Sequence, residues 1–318
     1  MTTTAKPPPT PPAPVTPRAK ARPGDRIFSR SAQLAGILIL VILAGVAAFL
    51  VVEAAPTFSA DPSEIDGGEG FFSYVWPLVF GTLAAAIIAL VVATPLALGI
   101  ALFISHYAPR RLAQGLGYIV DLLAAIPSVV FGLWGIQWLA PQVQPAWTWL
   151  ADNLGFIPIF SGPASATGRT MMTAGLVLAV MVLPIITAIS REVFLQTPTL
   201  HEEAALALGA TRWEMIRMAV IPFGRPGIIS GIMLGLGRAL GETMAVAMVL
   251  STGGFTWSMV TSGNSTIAAE IALDFPDSSG LKTNTLIAAG LVLFAITLAV
   301  NMFARWIVSR RSEFSGAN

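Results

Sequence analysis

The sequence predicts an all-α integral membrane protein with six transmembrane helices. Three observations carry that expectation: the composition, a set of long apolar runs, and the way Lys and Arg fall between them. Of 318 residues, 55% are apolar and only 11% are charged, with a mean hydropathy of +0.75. A soluble domain carries about 25% charged residues, so too little charge is present to cover a soluble sphere of this size.

The elements follow in order. Residues 1–30 form a composition apart, with eight prolines between Pro7 and Pro23 among Thr, Ala, Lys and Arg. Such a segment buries too little apolar surface to offset its ordering entropy and is expected as a disordered tail. The membrane-spanning body is expected over residues 31–311, with a short tail at 312–318. Ser31 to Val52 holds no charge over 22 residues, longer than a signal-peptide core of about 7–15, and reads as the first span. The second has its apolar heart from Val75 to Ile104, the third runs Ile119–Ala140, and the fourth Met171–Ser190. The fifth, Ile228–Leu250, carries two charges well inside it, and the sixth is Thr283–Ala304. A hydrocarbon core about 30 Å thick needs about 20 helical residues, which each run supplies. Two connections are long, Pro141–Thr170 and Ser251–Lys282, and Trp147 and Trp149 in the first suit an interfacial aromatic belt. Pro95, Pro127 and Pro184 fall inside spans, where proline kinks a helix.

Charge orients the set. With the N-terminus inside, the inner segments carry Lys6, Arg18, Lys20, Arg22, Arg26, Arg30, Arg110, Arg111, Arg191, Arg212, Arg217, Arg225, Arg305, Arg310 and Arg311. The outer segments carry only Arg169 and Lys282. The positive-inside rule therefore places both termini in the cytoplasm. The outer side is acidic, through Glu53, Asp61, Glu64, Asp66, Glu69, Asp152, Glu270, Asp274 and Asp277. A net charge of +1 excludes the basic footprint of a nucleic-acid binder, and the absence of cysteine excludes thiol and Cys-metal chemistry. The two histidines, His106 and His201, lie far apart in sequence and read as surface residues near the inner interface. Asp121, expected at the start of span three, suits a helix N-terminus.

Two stretches could carry function. The inner connection from about Arg191 to Arg225 contains Thr199 and Glu202 in a capping-box spacing, a helix-favouring Ala-Ala-Leu-Ala-Leu run, and Gly209 to stop it. A second helix is expected from Thr211 to Val220, ending before Pro222. The pair would make a knob at the membrane surface, or merely close the bundle. In the fifth span, Gly227, Gly231 and Gly235 recur every four residues and make one smooth face, while Gly237 and Gly241 suggest a second. Arg238 and Glu242, four apart, share a face and can pair. Ionisable groups inside a span cost about 2.5–3.5 kcal/mol each on insertion scales. They therefore face a solute path or neutralise one another structurally.

Glu203-Ala204-Ala205, Gly209 and Pro222 resemble the EAA loop of ABC-importer permeases, although Ala219-Val220-Ile221-Pro222 stands where that family has I-x-L-P. The stretch Gly237-Arg238-Ala239-Leu240-Gly241-Glu242-Thr243-Met244-Ala245-Val246 is similar to the signature of phosphate-specific ABC-importer permeases. Phe72 to Thr82 and Asp121 to Gly135 resemble the C-type subunit in particular. The likeness extends from about Arg26 to Arg311. It implies a type I ABC-importer permease fold in the bacterial plasma membrane, with an A-type permease, two ATPase subunits and an extracytoplasmic phosphate-binding protein as partners, besides lipid. It further implies ATPase coupling through Glu203, Ala204, Ala205, Gly209 and Pro222, and a substrate pathway at Arg238 and Glu242. No cofactor is expected in this chain; ATP and Mg would sit on the partner ATPase, since the chain has no G-x-x-x-x-G-K-[ST] loop. An importer of another oxyanion such as sulfate, and an ATPase-independent anion channel, are the rival readings. A membrane-embedded hydrolase is poorly served by two distant histidines.

Overall fold

The computed structural model describes residues 23–65, 67–251 and 253–312. Most of the expected tail, Asp66 and the segment 313–318 lie outside the described residues. Among the described residues the architecture is helical, in the order α1 (Pro23–Ser59), α2 (Phe71–Leu102), α3 (Arg110–Ala124), α4 (Ser128–Trp134), α5 (Ala140–Leu154), α6 (Met171–Leu195), α7 (Thr199–Ala207), α8 (Arg212–Met215), α9 (Ile221–Leu240), α10 (Met244–Val249), α11 (Ile267–Asp274) and α12 (Leu281–Ser312). Single π turns extend α2 over Phe103–Tyr107, link α4 to α5 over Gly135–Leu139, and link α8 to α9 over Ile216–Val220.

The chain divides into two compact units between Phe49 and Leu50. The described part of the first is helical from Pro23, so residues 23–30, expected as tail, belong to α1. Its apolar side chains, such as Ile37, Leu40 and Val41, are exposed, as suits a helix whose solvent is lipid.

In the second unit α6 is the central post. It packs against α2 on one side and α9 on another. Ala85, Ala89, Ala93 and Ala97, each one turn from the next on α2, are buried in the same cluster as Leu178, Met181, Val182 and Ile186 of α6. Small residues at every fourth position let two helices approach closely, which is how helices associate where lipid supplies no hydrophobic drive. Near its start α2 also receives the long connection before α11. The Thr82 hydroxyl accepts from the Ile267 amide at 3.0 Å and donates to Leu78 O at 2.7 Å. At Gly81 a Cβ would collide with the Ser265 carbonyl, so only glycine fits.

The two long connections are ordered and laced together. The Met259 amide donates to Ile159 O at 2.8 Å, Met172 to Met259 O at 2.9 Å, and Ser165 to Val260 O at 3.0 Å. Asn264 holds the turn closed through Thr256 N, Thr256 O and Ser258 O. Trp147 is not an interfacial anchor as expected. It is buried, and its indole donates to Thr173 Oγ1 at 2.8 Å; Trp149 is exposed.

Two expected spans are broken. The third is no single helix over Ile119–Ala140: α3 ends at Ala124 and the chain resumes from Ser128, with the segments bent by 92°. Pro127 is the cause, because it restricts the preceding residue to extended geometry and cannot donate back; here it caps α4 rather than kinking a continuous helix. The fifth span begins well before Ile228. From Arg212 the helix continues through the π turn into α9, and it stops at Leu240, short of Leu250. Pro222 therefore does not end a helix as expected. The preceding π turn, closed by Ile221 N–H to Ile216 O, widens the backbone where the ring would otherwise clash.

The first glycine face of α9 packs as predicted. A Cβ on Gly231 would lie 3.2 Å from Ile189, one on Gly235 3.0 Å from Ile186, and one on Gly227 would overlap Val193. Gly237 meets nothing within 4 Å and Gly241 only the carbonyl of Gly237, so the second glycine face does not pack. Gly227→Val should therefore lower stability by about 1–3 kcal/mol through overpacking, read from the denaturation midpoint of the purified protein. Gly237→Ala should leave that midpoint unchanged or raise it.

Candidate functional site

The break after Leu240 organises the site. Gly241 closes α9 by donating to Gly237 O at 3.3 Å, and the backbone leaves helical geometry before α10 starts at Met244. Arg238 and Glu242 consequently do not share a helix face and form no ion pair with each other, contrary to the four-residue spacing. Glu242 is buried and its Oε1 accepts from the Ala245 amide at 3.2 Å. From one residue before the cap position, Thr243, it holds the N-terminal end of α10. Arg238 is half-buried, with its Nε buried and without a hydrogen-bond partner. It lines a cavity of about 860 Å³ shared with Ser230, Gly237, Asn301 and Arg305.

Arg169, placed by sequence reading only among the outer charges, holds the other end of α10. Its guanidinium donates to Met248 O at 3.1 Å and Val249 O at 3.4 Å, and also to Leu250 O. The short helix therefore has a carboxylate at its N-terminus and a guanidinium at its C-terminus, the arrangement its dipole favours. α10 lies against α4, the helix that follows the other break: a Cβ on Gly132 would sit 2.9 Å from Ala245 Cα, and one on Gly135 2.9 Å from Val249. A long separation, 80 residues between Arg169 and Val249, left no local pattern for this clamp.

The loop between α6 and α9 forms the expected two-helix knob. α7 starts at Thr199, and Gly209, with φ of +86°, turns the chain after it; a side chain at that φ would be strained. The capping box is elsewhere than predicted. The cap position of α7 is Pro198, with no side-chain bond, whereas Thr211 and Glu214 make the reciprocal pair at α8. Glu202 instead approaches the ring of His106 at 3.4 Å, and the other ring nitrogen lies 2.7 Å from Ser105 Oγ. His106 is thus a partly buried link between the end of α2 and α7, and only His201 is exposed.

Ala204, Ala205, Gly209 and Pro222 line one open groove of about 840 Å³. Glu203 lies outside its lining and is exposed. In the same lining, Leu208 is 91% exposed and Met218 60%, so the knob displays apolar surface that its own helices leave uncovered. Ala205 packs inward with Phe194, Met215 and Ile216. Asp121 is not at a helix start: α3 begins at Arg110, which puts Asp121 in its last turn. Arg191, 3.7 Å away, offsets the unfavourable dipole there. Among the described residues no cluster of His, Asp and Glu is suited to a metal.

This arrangement of broken spans around a central helix, with a two-helix knob between spans, is the type I ABC-importer permease fold. Solved structures of a bacterial ABC transporter that imports the acidic polysaccharide alginate share it, with TM-scores of 0.56 and 0.57 at 16% and 17% identity. Each covers 90% of this chain, and the alignments take in 98% and 96% of the neighbour. The chain belongs to the family of binding-protein-dependent transport system inner membrane components, whose model matches residues 93–313. Its relatives include the phosphate transport system permease protein PstC 2 of Mycobacterium tuberculosis, 47% identical over 90% of this chain and 92% of the relative. PstC of Mycobacterium leprae is 43% identical over 90% and 94%, and that of Mesorhizobium japonicum 38% over 92% of each.

Replacing Arg169 with Gln should release the carbonyl end of α10 and cost about 1.5–3 kcal/mol, the worth of hydrogen bonds to a charged group. Amide hydrogen exchange should rise over Met244–Leu250 and leave the α2–α6 core unaffected.

Proposed function

We propose that this chain is the C-type permease subunit of an ATP-driven importer of inorganic phosphate, and that it forms the translocation path with an A-type permease. The observation that carries the reading is Arg238, an unpartnered guanidinium lining a cavity between membrane helices, in a chain whose relatives are named as phosphate transport permeases. A charge inside a membrane span without a counter-charge is costly, and an oxyanion would relieve that cost by charge-assisted, bidentate hydrogen bonds. Glu242, held at the start of α10 outside that lining, would come into reach only as the break after Leu240 shifts, and would then accept a hydrogen bond from a protonated phosphate oxygen, which sulfate cannot offer. Contact must stay weak, because an ion held tightly would not leave.

The remaining roles follow from the same reading. Two ATPase subunits, holding ATP and Mg, would engage the knob, with Glu203 at the contact and Ala204, Ala205, Gly209 and Pro222 shaping the groove beside it. Closure of that dimer would be passed to α9 through the continuous helix from Arg212. Both termini would be cytoplasmic, as the Lys and Arg bias requires. An extracytoplasmic phosphate-binding protein would deliver the ion to an outer face too acidic to attract it freely. The chain itself would be no enzyme, since it lacks the phosphate-binding loop of an ATPase.

Labelled phosphate uptake tests this in cells that lack their own high-affinity system and express the chain with its partners. Uptake should require ATP and withstand excess sulfate. ATP-independent uptake would favour a channel, and sulfate competition another oxyanion. Arg238→Gln should reduce uptake by about 10- to 100-fold, the loss of one charged hydrogen-bonding group, with the complex still assembled. Glu203→Lys should instead weaken co-purification of the ATPase; a variant complex that purifies intact and couples normally would remove Glu203 from the contact.

A further inference from the structure

The cavity that contains Arg238 holds a second cation with no assigned task. Arg305, on α12, lines it together with Asn301 of the same helix. Neither arginine makes a hydrogen bond or ion pair among the described residues, and no carboxylate lines the cavity. Its charged groups are therefore both donors. The guanidiniums contribute N–H groups, Asn301 offers an amide that donates and accepts, and Ser230, whose hydroxyl proton is given to Pro226 O at 2.9 Å, leaves an acceptor oxygen. The rest of the lining, including Ile185, Met233 and Leu234, is apolar; Arg305 and Asn301 are exposed at its edge, and Arg238 is half-buried.

We infer that α9 and α12 together form a two-arginine seat for a phosphate-class oxyanion, with Arg305 as a second binding residue beside Arg238. This rests on the importer reading and adds a residue and a second helix to the path. A single guanidinium satisfies two of the four oxygens of a tetrahedral oxyanion in its bidentate fork. A second guanidinium from the facing helix supplies donors to the others, and neutralises the second charge when the ion is divalent. The volume of about 860 Å³ far exceeds one phosphate, so the ion enters with water still attached. Such a seat binds weakly and releases readily, as a transit site must. The contributing residues stand on two separate helices, so displacement of α12 against α9 opens or closes the grip without altering either side chain.

The same chemistry fits a free phosphate ion and the phosphate of a lipid headgroup, and one experiment separates them. The assembled transporter is purified in maltoside micelles, which carry no phosphate, and treated with an arginine-directed dicarbonyl reagent; modification at Arg238 and Arg305 is followed by peptide mass spectrometry. Inorganic phosphate at ten times its half-protecting concentration should slow modification of both arginines by about tenfold, with sulfate protecting less. In Arg305→Gln the phosphate needed to protect Arg238 should rise by about tenfold or more. Protection of Arg305 only when phosphatidylglycerol is added, and not by inorganic phosphate, would make it a headgroup contact and remove it from the path. Protection of Arg238 alone would overturn the two-arginine seat. Uptake by the unmodified transporter is measured alongside: phosphate import with an unprotected Arg305 sinks this inference only, whereas absence of ATP-driven phosphate import sinks the reading on which it rests.

Discussion

A backbone that abandons helical geometry inside a membrane must find a partner for every amide and carbonyl it frees, because lipid offers none. The rest of this structure depends on how that requirement is met at the break after Leu240. Glu242 accepts at one end of the six-residue α10, Arg169 donates at the other, and α4 covers the side between them. Helix α4 is itself the product of a break, at Pro127. Two irregular segments that lipid would not tolerate separately are thus placed against each other and shielded by protein. The cavity bearing Arg238 lies on the α9 side of the same break, so the element that stabilises the fold also positions the group proposed to meet the ion.

What sequence made legible was what repeats or what punctuates. The Gly227–Gly231–Gly235 face and the stop at Gly209 obey helical period or backbone sterics, and the structure uses each as expected. Hydropathy was a poorer guide to continuity. A window of apolar residues does not distinguish one straight span from two segments bent by 92°, because both bury the same side chains. Pairing by spacing failed for a related reason. Arg238 and Glu242 share a face only if the helix is unbroken between them, and Gly241 lies in that interval. Contacts across long separations, Arg169 with the end of α10 and Trp147 with Thr173, have no local signature at all.

The knob shows a different division of labour. Its inner side, through Ala205, is packed with Phe194 and Met215; its outer side leaves Leu208 and Met218 uncovered. The capping pair at Thr211 and Glu214 fixes where the second helix starts, and the helix then runs without interruption into the membrane. A push on the knob therefore meets a continuous rod rather than a loop. His106 adds a lateral tie from α7 to the end of α2, so the knob is joined to two spanning helices at separate points.

The charges at α10 have an electrical consequence. With Glu242 at one end and Arg169 at the other, the helix and its two holders form a neutral dipolar unit, and shifting that unit as a body does almost no work against a transmembrane voltage. Arg238 has no such counterpart. Carrying a lone elementary charge through the full field involves about 2.3 kcal/mol per 100 mV, so a voltage acts on Arg238, as on Arg305 in the same cavity, far more than on the paired holders of α10. A monovalent anion held by Arg238 would cancel that sensitivity, leaving the empty and loaded protein with different responses to voltage.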